Sequence, residues 1–258
     1  SAREVGLLAL SGLALGLHLS TWFLSLEYTS VASSTVLVTT HPIFVGIISA
    51  VWLGERPGRR EWIGIVTAVG GAVLVGWGDL GGGPSPLLGD ALALGAAVLA
   101  ALYFALGRRL RPKLGLWGYV APVYGVAALV AAALVGASGA PWAGFPTSTW
   151  LFLAALALGP MLLGHTSFNW ALRHVRAYVV SLVQLLEPAG ATLLAILVLG
   201  SGEIPGIGTI GGGVVVLAGV WVSLRERKRR ASTSHPVSHP AATRTEAMSD
   251  AKEEERVD

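Results

Sequence analysis

The 258-residue chain has no cysteine, few charges and no triplet period among its glycines. Without cysteine there is no disulfide framework, no thiolate metal site and no cysteine nucleophile. Charged residues make up 13% of the sequence, against about 25% in a typical soluble domain. The 34 glycines lack the Gly-X-Y repeat of a collagen-like fibre. With 53% hydrophobic residues and a mean hydropathy of +0.66, most of the chain is too apolar to be disordered. The net charge of +3 is small, so the position of the charges is more informative than their sum.

What is present is a series of apolar runs. Crossing a bilayer takes about 20 residues, and eight runs of roughly that length occur: 5–26, 31–53, 62–78, 88–107, 117–136, 148–172, 177–199 and 206–224. Runs such as Ala91–Leu106 are apolar on every helical face, unlike a half-buried soluble helix. None alternates with the period of a barrel strand. These runs predict an all-α polytopic membrane protein with eight transmembrane helices. Residues 225–258 form a polar tail that opens with Arg225-Glu226-Arg227-Lys228-Arg229-Arg230 and closes on acidic residues. It is expected to be disordered. Its basic opening fits a topology anchor and, as an alternative, an anionic-lipid contact.

All 18 lysines and arginines fall on alternate connections. Those connections hold Arg3; Arg56, Arg59 and Arg60; Arg108, Arg109, Arg111 and Lys113; Arg173 and Arg176; and the tail. The connections between them, near 27–30, 79–87, 137–147 and 200–205, hold none. Lys and Arg are retained on the cytoplasmic side, so both termini are expected there, in an inner (plasma) membrane protein. One helix more or fewer would scramble the alternation.

The sequence also repeats. Residues 20–54 align with 166–200 at an offset of 146, pairing Leu26 with Leu172, Pro42 with Pro188 and Leu53-Gly54 with Leu199-Gly200. Beyond a loop the offset becomes 148, pairing Glu55 with Glu203, Pro57 with Pro205, Gly64 with Gly212 and Gly71 with Gly219. Under the charge-derived topology 5–26 runs outward and its counterpart 148–172 runs inward, so the copies are inverted. Inverted repeats around a midplane site are the build of secondary transporters. The division is residues 1–79 for a partial first copy of three helices, 80–224 for a second copy of five, and 225–258 for the tail. A chain that starts at Ser1 with three helices against five is expected to lack two helices of the first copy.

These residues carry a resemblance. Leu24-Ser25-Leu26-Glu27-Tyr28-Thr29-Ser30, Pro42, Leu53-Gly54-Glu55 and the glycines at 64, 70 and 71 resemble one EamA domain of the drug/metabolite transporter superfamily. Gly89-Asp90, Arg108-Arg109, Glu187-Pro188, Gly202-Glu203 and Gly212 with Gly219 resemble a second. The resemblance implies ten helices in two inverted five-helix repeats. It also implies export of amino acids, related metabolites or toxic organic compounds.

Ionisable groups at membrane depth cost roughly 2.5–3.5 kcal/mol and invite a functional reading. His41-Pro42 and Glu187-Pro188 sit at the centres of their runs and are related by the repeat. Each proline lacks an N–H and frees the carbonyl four residues earlier, that of Val38 or Gln184. A freed carbonyl needs a partner, which favours a cavity or packed interior over lipid. A simple kink is the alternative reading of each, and Pro42 and Pro188 are candidate hinges. Helical spacing puts Gln184 on the face of Glu187, His165 with Asn169, His18 with Trp22 and Ser25, and Ser34 with His41. The candidate substrate-binding set is thus Glu187, Gln184, His41, His165, Asn169, Trp22 and His18, with Tyr103 and Phe168 as aromatic walls; each also has an ordinary interior-packing reading. Burial disfavours a charged carboxylate, which makes proton exchange at Glu187 a natural coupling.

The expected partners are a small organic solute, the lipid bilayer and protons, with no nucleic acid and no cofactor. Gly206–Gly211 matches G-x-G-x-x-G but opens a membrane helix, without the strand that a dinucleotide site needs. No P-loop and no H-E-x-x-H occur. Two other readings stay open: an intramembrane enzyme using His18, His41, His165 and Glu187, and an inactive or partner-dependent remnant of a ten-helix carrier.

Overall fold

The computed structural model describes residues 1–76, 83–186 and 207–233. Among them every regular element is a helix: α1 Ala2–Ser25, α2 Val31–Val38, α3 His41–Ile48, α4 Arg59–Gly76, α5 Pro86–Leu110, α6 Leu116–Ser138, α7 Thr147–Leu156, α8 Thr166–Ala171, α9 Ala177–Gln184 and α10 Ile207–Thr233. π-helical stretches join α3 to the loop at Ser49–Leu53 and α7 to α8 at Ala157–His165. Among the described residues five stretches are long and apolar enough to cross a membrane: Ala2–Ser25, Ser33–Leu53, Pro86–Leu110, Leu116–Ser138 and Thr147–Ala171. This is the build of a polytopic membrane protein.

α5 is the axis of the core. It packs against α1, α2, α3 and α9; Ala93, Ala97 and Ala101 line its buried face, Leu94 and Val98 look outward, and from Tyr103 to Leu106 successive residues on every face are buried. The sequence expects a helix apolar all round to lie inside, and its alanines let neighbours approach closely. α1 also lies on α6 through Gly12 and Gly16. A Cβ on Gly12 would sit 2.7 Å from the Val123 carbonyl oxygen, and one on Gly16 3.0 Å from that of Ala127. Small residues at such crossings replace the hydrophobic drive that lipid removes.

α4 and α10 meet the same way. A Cβ on Gly64 would stand 2.6 Å from the Gly219 carbonyl oxygen, and one on Gly71 2.8 Å from that of Gly212. An early residue of α4 thus faces a late one of α10 and the reverse, so the two helices are antiparallel. The 148-residue offset pairs Gly64 with Gly212 and Gly71 with Gly219, and exchanging those partners converts one contact into the other.

Where the sequence suggests one span over 31–53, the structure has a break. Thr39 and Thr40 form a turn between α2 and α3. Three successive side chains hold three successive carbonyls there: Thr39 Oγ1 donates to Val36 at 2.8 Å, Thr40 Oγ1 to Leu37 at 2.6 Å and His41 Nδ1 to Val38 at 3.1 Å. The last carbonyl is the one Pro42 frees. Over 148–172 the helix is likewise not uniform: Pro160, which has no N–H to give, lies inside the π-helical stretch.

Two polar clusters tie the ends of the bundle. At the arginine-bearing end, Arg108 Nε meets Glu55 at 2.7 Å and its Nη1 donates to the Leu172 carbonyl at 3.0 Å. Beside it, the Tyr178 hydroxyl donates to Glu61 at 2.6 Å and accepts from Arg176 at 2.8 Å. Glu61, which is buried, also accepts from the Gly58 N–H. The Tyr178 hydroxyl raises the pKa of Arg176 above its ordinary value, and the Glu61 charge adds to this. At the other end Asp90 accepts from Thr29 and Ser33, both at 2.8 Å, fastening α5 to the corner before α2.

Candidate functional site

The candidate residues divide into those the fold brings together, those it uses as ties, and two outside the described residues. Glu187 and Pro188 are the last kind.

Tyr103, His165, Phe168 and Asn169 form one cluster. The Asn169 amide nitrogen donates to the Tyr103 hydroxyl at 2.6 Å and to the His165 carbonyl at 2.8 Å. The His165 ring centre is 6.0 Å from that of Tyr103 and 6.5 Å from that of Phe168. His41 joins this cluster through Phe104, whose ring lies nearly parallel to it at 5.8 Å and meets Phe168 edge-on at 6.4 Å. His41 has the Gln184 side chain and the Ser181 carbonyl as polar neighbours on α9, so α3, α5, α8 and α9 converge here.

His18 is a tie. Its Nδ1 lies 2.9 Å from the Ala96 carbonyl oxygen, joining α1 to α5 two turns from Tyr103. Trp22 stacks beside it at 6.4 Å. Ser25 and Ser34, which share helical faces with these residues, hydrogen-bond each other at 2.6 Å. They hold α1 to α2 and do not face the cluster as free hydroxyls.

Five of the candidates carry a buried polar atom without a protein partner among the described residues: Trp22 Nε1, His41 Nε2, His165 Nδ1, Asn169 Oδ1 and Gln184 Oε1. Leaving such an atom unpaired costs about 1–3 kcal/mol, and native proteins hold few of them. Four of the five lie in the His41–Asn169 cluster, which marks a polar interior that the described residues do not complete. Among the described residues no three His or acidic side chains are arranged to hold a metal ion.

Helical-face reasoning missed Phe104 and Tyr124. Tyr124 lies 3.4 Å from the Asn169 amide and 3.3 Å from the Thr166 hydroxyl. The signal for Phe104 was in the sequence: where a helix is apolar on every face, as α5 is around Tyr103, the neighbour of a site residue faces the interior too. Glu61 and Tyr178 were missed because 117 residues separate them.

The chain matches the EamA-like transporter family over residues 2–77 and 87–225. It is 28% identical over 190 residues to YdeK, an uncharacterized transporter of Bacillus subtilis (strain 168), a match covering 73% of this chain and 65% of that protein. An uncharacterized transporter of Clostridium kluyveri is 27% identical over 239 residues, covering 89% of this chain and 75% of that one. The matched region thus spans about two thirds of the Bacillus relative's length. A protein of known crystal structure shares the fold with a TM-score of 0.71 at 21% identity, covering 85% of this chain and 77% of that one.

Proposed function

Because the chain belongs to the EamA-like transporter family, of the drug/metabolite transporter superfamily, we propose that it is a secondary carrier that exports small amphipathic organic metabolites, such as amino acids or their relatives, by alternating access. The observation that carries this reading is the set of four polar atoms on His41, His165, Asn169 and Gln184 that lack a protein partner among the described residues and lie in one cluster with aromatic rings. Such groups stay inside a membrane protein when a passing solute or water can serve them.

The carrier has eight helices, three from a first copy and five from an inverted second one, with both termini cytoplasmic. Two features support the inversion: the alternation of all 18 basic residues and the exchangeable Gly64–Gly219 and Gly71–Gly212 contacts. Pro42 and Pro188 are its hinges, and Glu187, at the repeat position of His41-Pro42, is its proton-coupling group. The test is counterflow in proteoliposomes loaded with amino acids and amines. Flux that saturates and falls on substituting Asn169 or His41 supports the reading; leak independent of solute identity overturns it.

One observation favours a second reading, a carrier that needs a partner. α1 buries Ser11, Gly12, Ala14, Leu15, Gly16 and His18 against its neighbours, whereas in the repeat-related span neither α7 nor the π-helical stretch after it has a buried residue. A face that is packed in one copy and bare in the other suits further membrane helices docking there. Under this reading the chain alone shows no counterflow.

A further inference from the structure

The hydrogen-bonding polarity of the site follows from Pro42. The carbonyl of Val38 has lost its backbone donor to the proline, and His41 Nδ1 lies 3.1 Å from its oxygen. A carbonyl oxygen only accepts, so Nδ1 carries the hydrogen, and in the neutral ring Nε2 is then a bare lone pair. That nitrogen is buried, on a side chain only 4% exposed, and makes no hydrogen bond among the described residues, with the Ser181 carbonyl and the Gln184 side chain, both acceptors, as its polar neighbours.

Asn169, which is fully buried, is fixed by the same logic. Its amide nitrogen is committed to the His165 carbonyl, which cannot donate, and to Tyr103. Oδ1 is therefore the end left over, again an acceptor. Gln184 beside His41 can turn either end of its amide inward. Trp22 Nε1 is the one unpaired atom fixed as a donor, and it sits apart on α1 beside His18.

Between the two fixed acceptors stand the Phe104 and Tyr103 rings, 5.5 Å apart, whose faces attract positive charge. Among the described residues the cations nearest this group are spent on backbone carbonyls. Arg111 and Arg108 give their donors to the carbonyls of Asn169, Leu114 and Leu172 at the basic end of the bundle. Lone pairs and ring faces suit a cation that brings its own N–H groups. A carboxylate would find acceptors facing it.

We propose that this cluster, when the carrier opens it, takes an organic amine in its ammonium form, with the N–H groups on His41 Nε2 and Gln184 Oε1 and the apolar body over Phe104, Tyr103 and Phe168. The inference rests on the carrier reading for the pocket's accessibility, and on the hydrogen bonds above for its polarity.

Three solutes with a common ring test it: 2-phenylethylamine, 3-phenylpropionate and 2-phenylethanol, with binding to the purified full chain in detergent read by equilibrium dialysis. The amine is expected to bind at least about ten-fold tighter than the other two, the size of one charge-assisted hydrogen bond. His41→Gln, which keeps an acceptor, should retain that preference, and His41→Phe should abolish it. Gel filtration and the unliganded melting temperature report whether each variant is folded; should His41→Phe fail there, Gln184→Leu removes the second acceptor and should reduce the preference. Equal or tighter binding of the carboxylate, an undiminished preference in a folded variant, or no binding of any of the three overturns the proposal. Counterflow of the amine in proteoliposomes separates the two claims. Binding without flux defeats the carrier and leaves the amine site standing, whereas flux of other solutes without amine preference defeats the amine site alone.

Discussion

Tyr178→Phe and Glu61→Gln, singly and together, probe the hydrogen bond that joins α4 to α9. Both side chains are nearly inaccessible, and the hydroxyl donates to the carboxylate at 2.6 Å with Arg176 3.8 Å from the same oxygen. A buried bond to a charged acceptor contributes about 1.5–3 kcal/mol, so each single change should destabilise by about 2 kcal/mol. Glu61 keeps the Gly58 N–H and Arg176 when the hydroxyl goes, which argues against a larger loss. Because each variant removes the same bond, the double variant should fall short of the sum by about 1–2 kcal/mol, beyond the ~0.3–0.5 kcal/mol expected of independent sites. Reversible unfolding by SDS in mixed micelles, followed through the nine tryptophans, gives the three free energies without relying on thermal transitions that aggregate. Additive effects, or a neutral Tyr178→Phe, would show that the bond does not hold these helices together.

Gly219→Ala should separate α4 from α10 and destabilise by about 1–3 kcal/mol, since the new methyl would collide with the Ala68 backbone nitrogen and lie 2.7 Å from the Gly64 carbonyl oxygen; the same unfolding titration reads it, and a stability unchanged from wild type refutes the close crossing. Glu187→Gln should abolish the dependence of flux on an imposed pH gradient while leaving solute binding in place, measured in proteoliposomes, and a retained gradient response removes Glu187 from coupling. Since the chain has no cysteine, Ala140→Cys and Arg173→Cys can each be read alone in intact cells. A membrane-impermeant maleimide should label position 140 from outside and reach 173 only after permeabilisation, and the reverse pattern would invert the topology. Asn169→Leu should cost about 1–3 kcal/mol by stranding the Tyr103 hydroxyl, and a neutral result in unfolding would mean that the cluster is not formed.

Composition and run length were enough to read a helical membrane protein, because no other backbone satisfies its own polar groups in lipid. The long runs at 5–26, 88–107 and 117–136 correspond closely to α1, α5 and α6. The interruptions were less legible. Pro42 announced trouble with the Val38 carbonyl, but not that His41 itself would take that oxygen, since the choice depends on a side-chain rotamer. The π-helical stretch around Pro160 left no periodic signature in a segment apolar on all sides. For the candidate site, helical spacing grouped His165 with Asn169 correctly as neighbours along one helix. It could not tell a hydroxyl facing a pocket from one spent on the next helix, as with Ser25 and Ser34. Nor could it foresee Phe104 bridging His41 to Phe168, a relation among three helices.

The break at Thr39–Thr40 carries its own donors. Threonine, threonine and histidine each reach back one turn, so the three carbonyls at the interruption are served from within the segment. The carbonyls of Val36, Leu37 and Val38 therefore keep a donor of their own even where the backbone ladder is cut, so bending at this joint need not draw in water to serve them. Its one outward-looking atom is the far nitrogen of the imidazole, so whatever arrives at that nitrogen acts directly on the pivot.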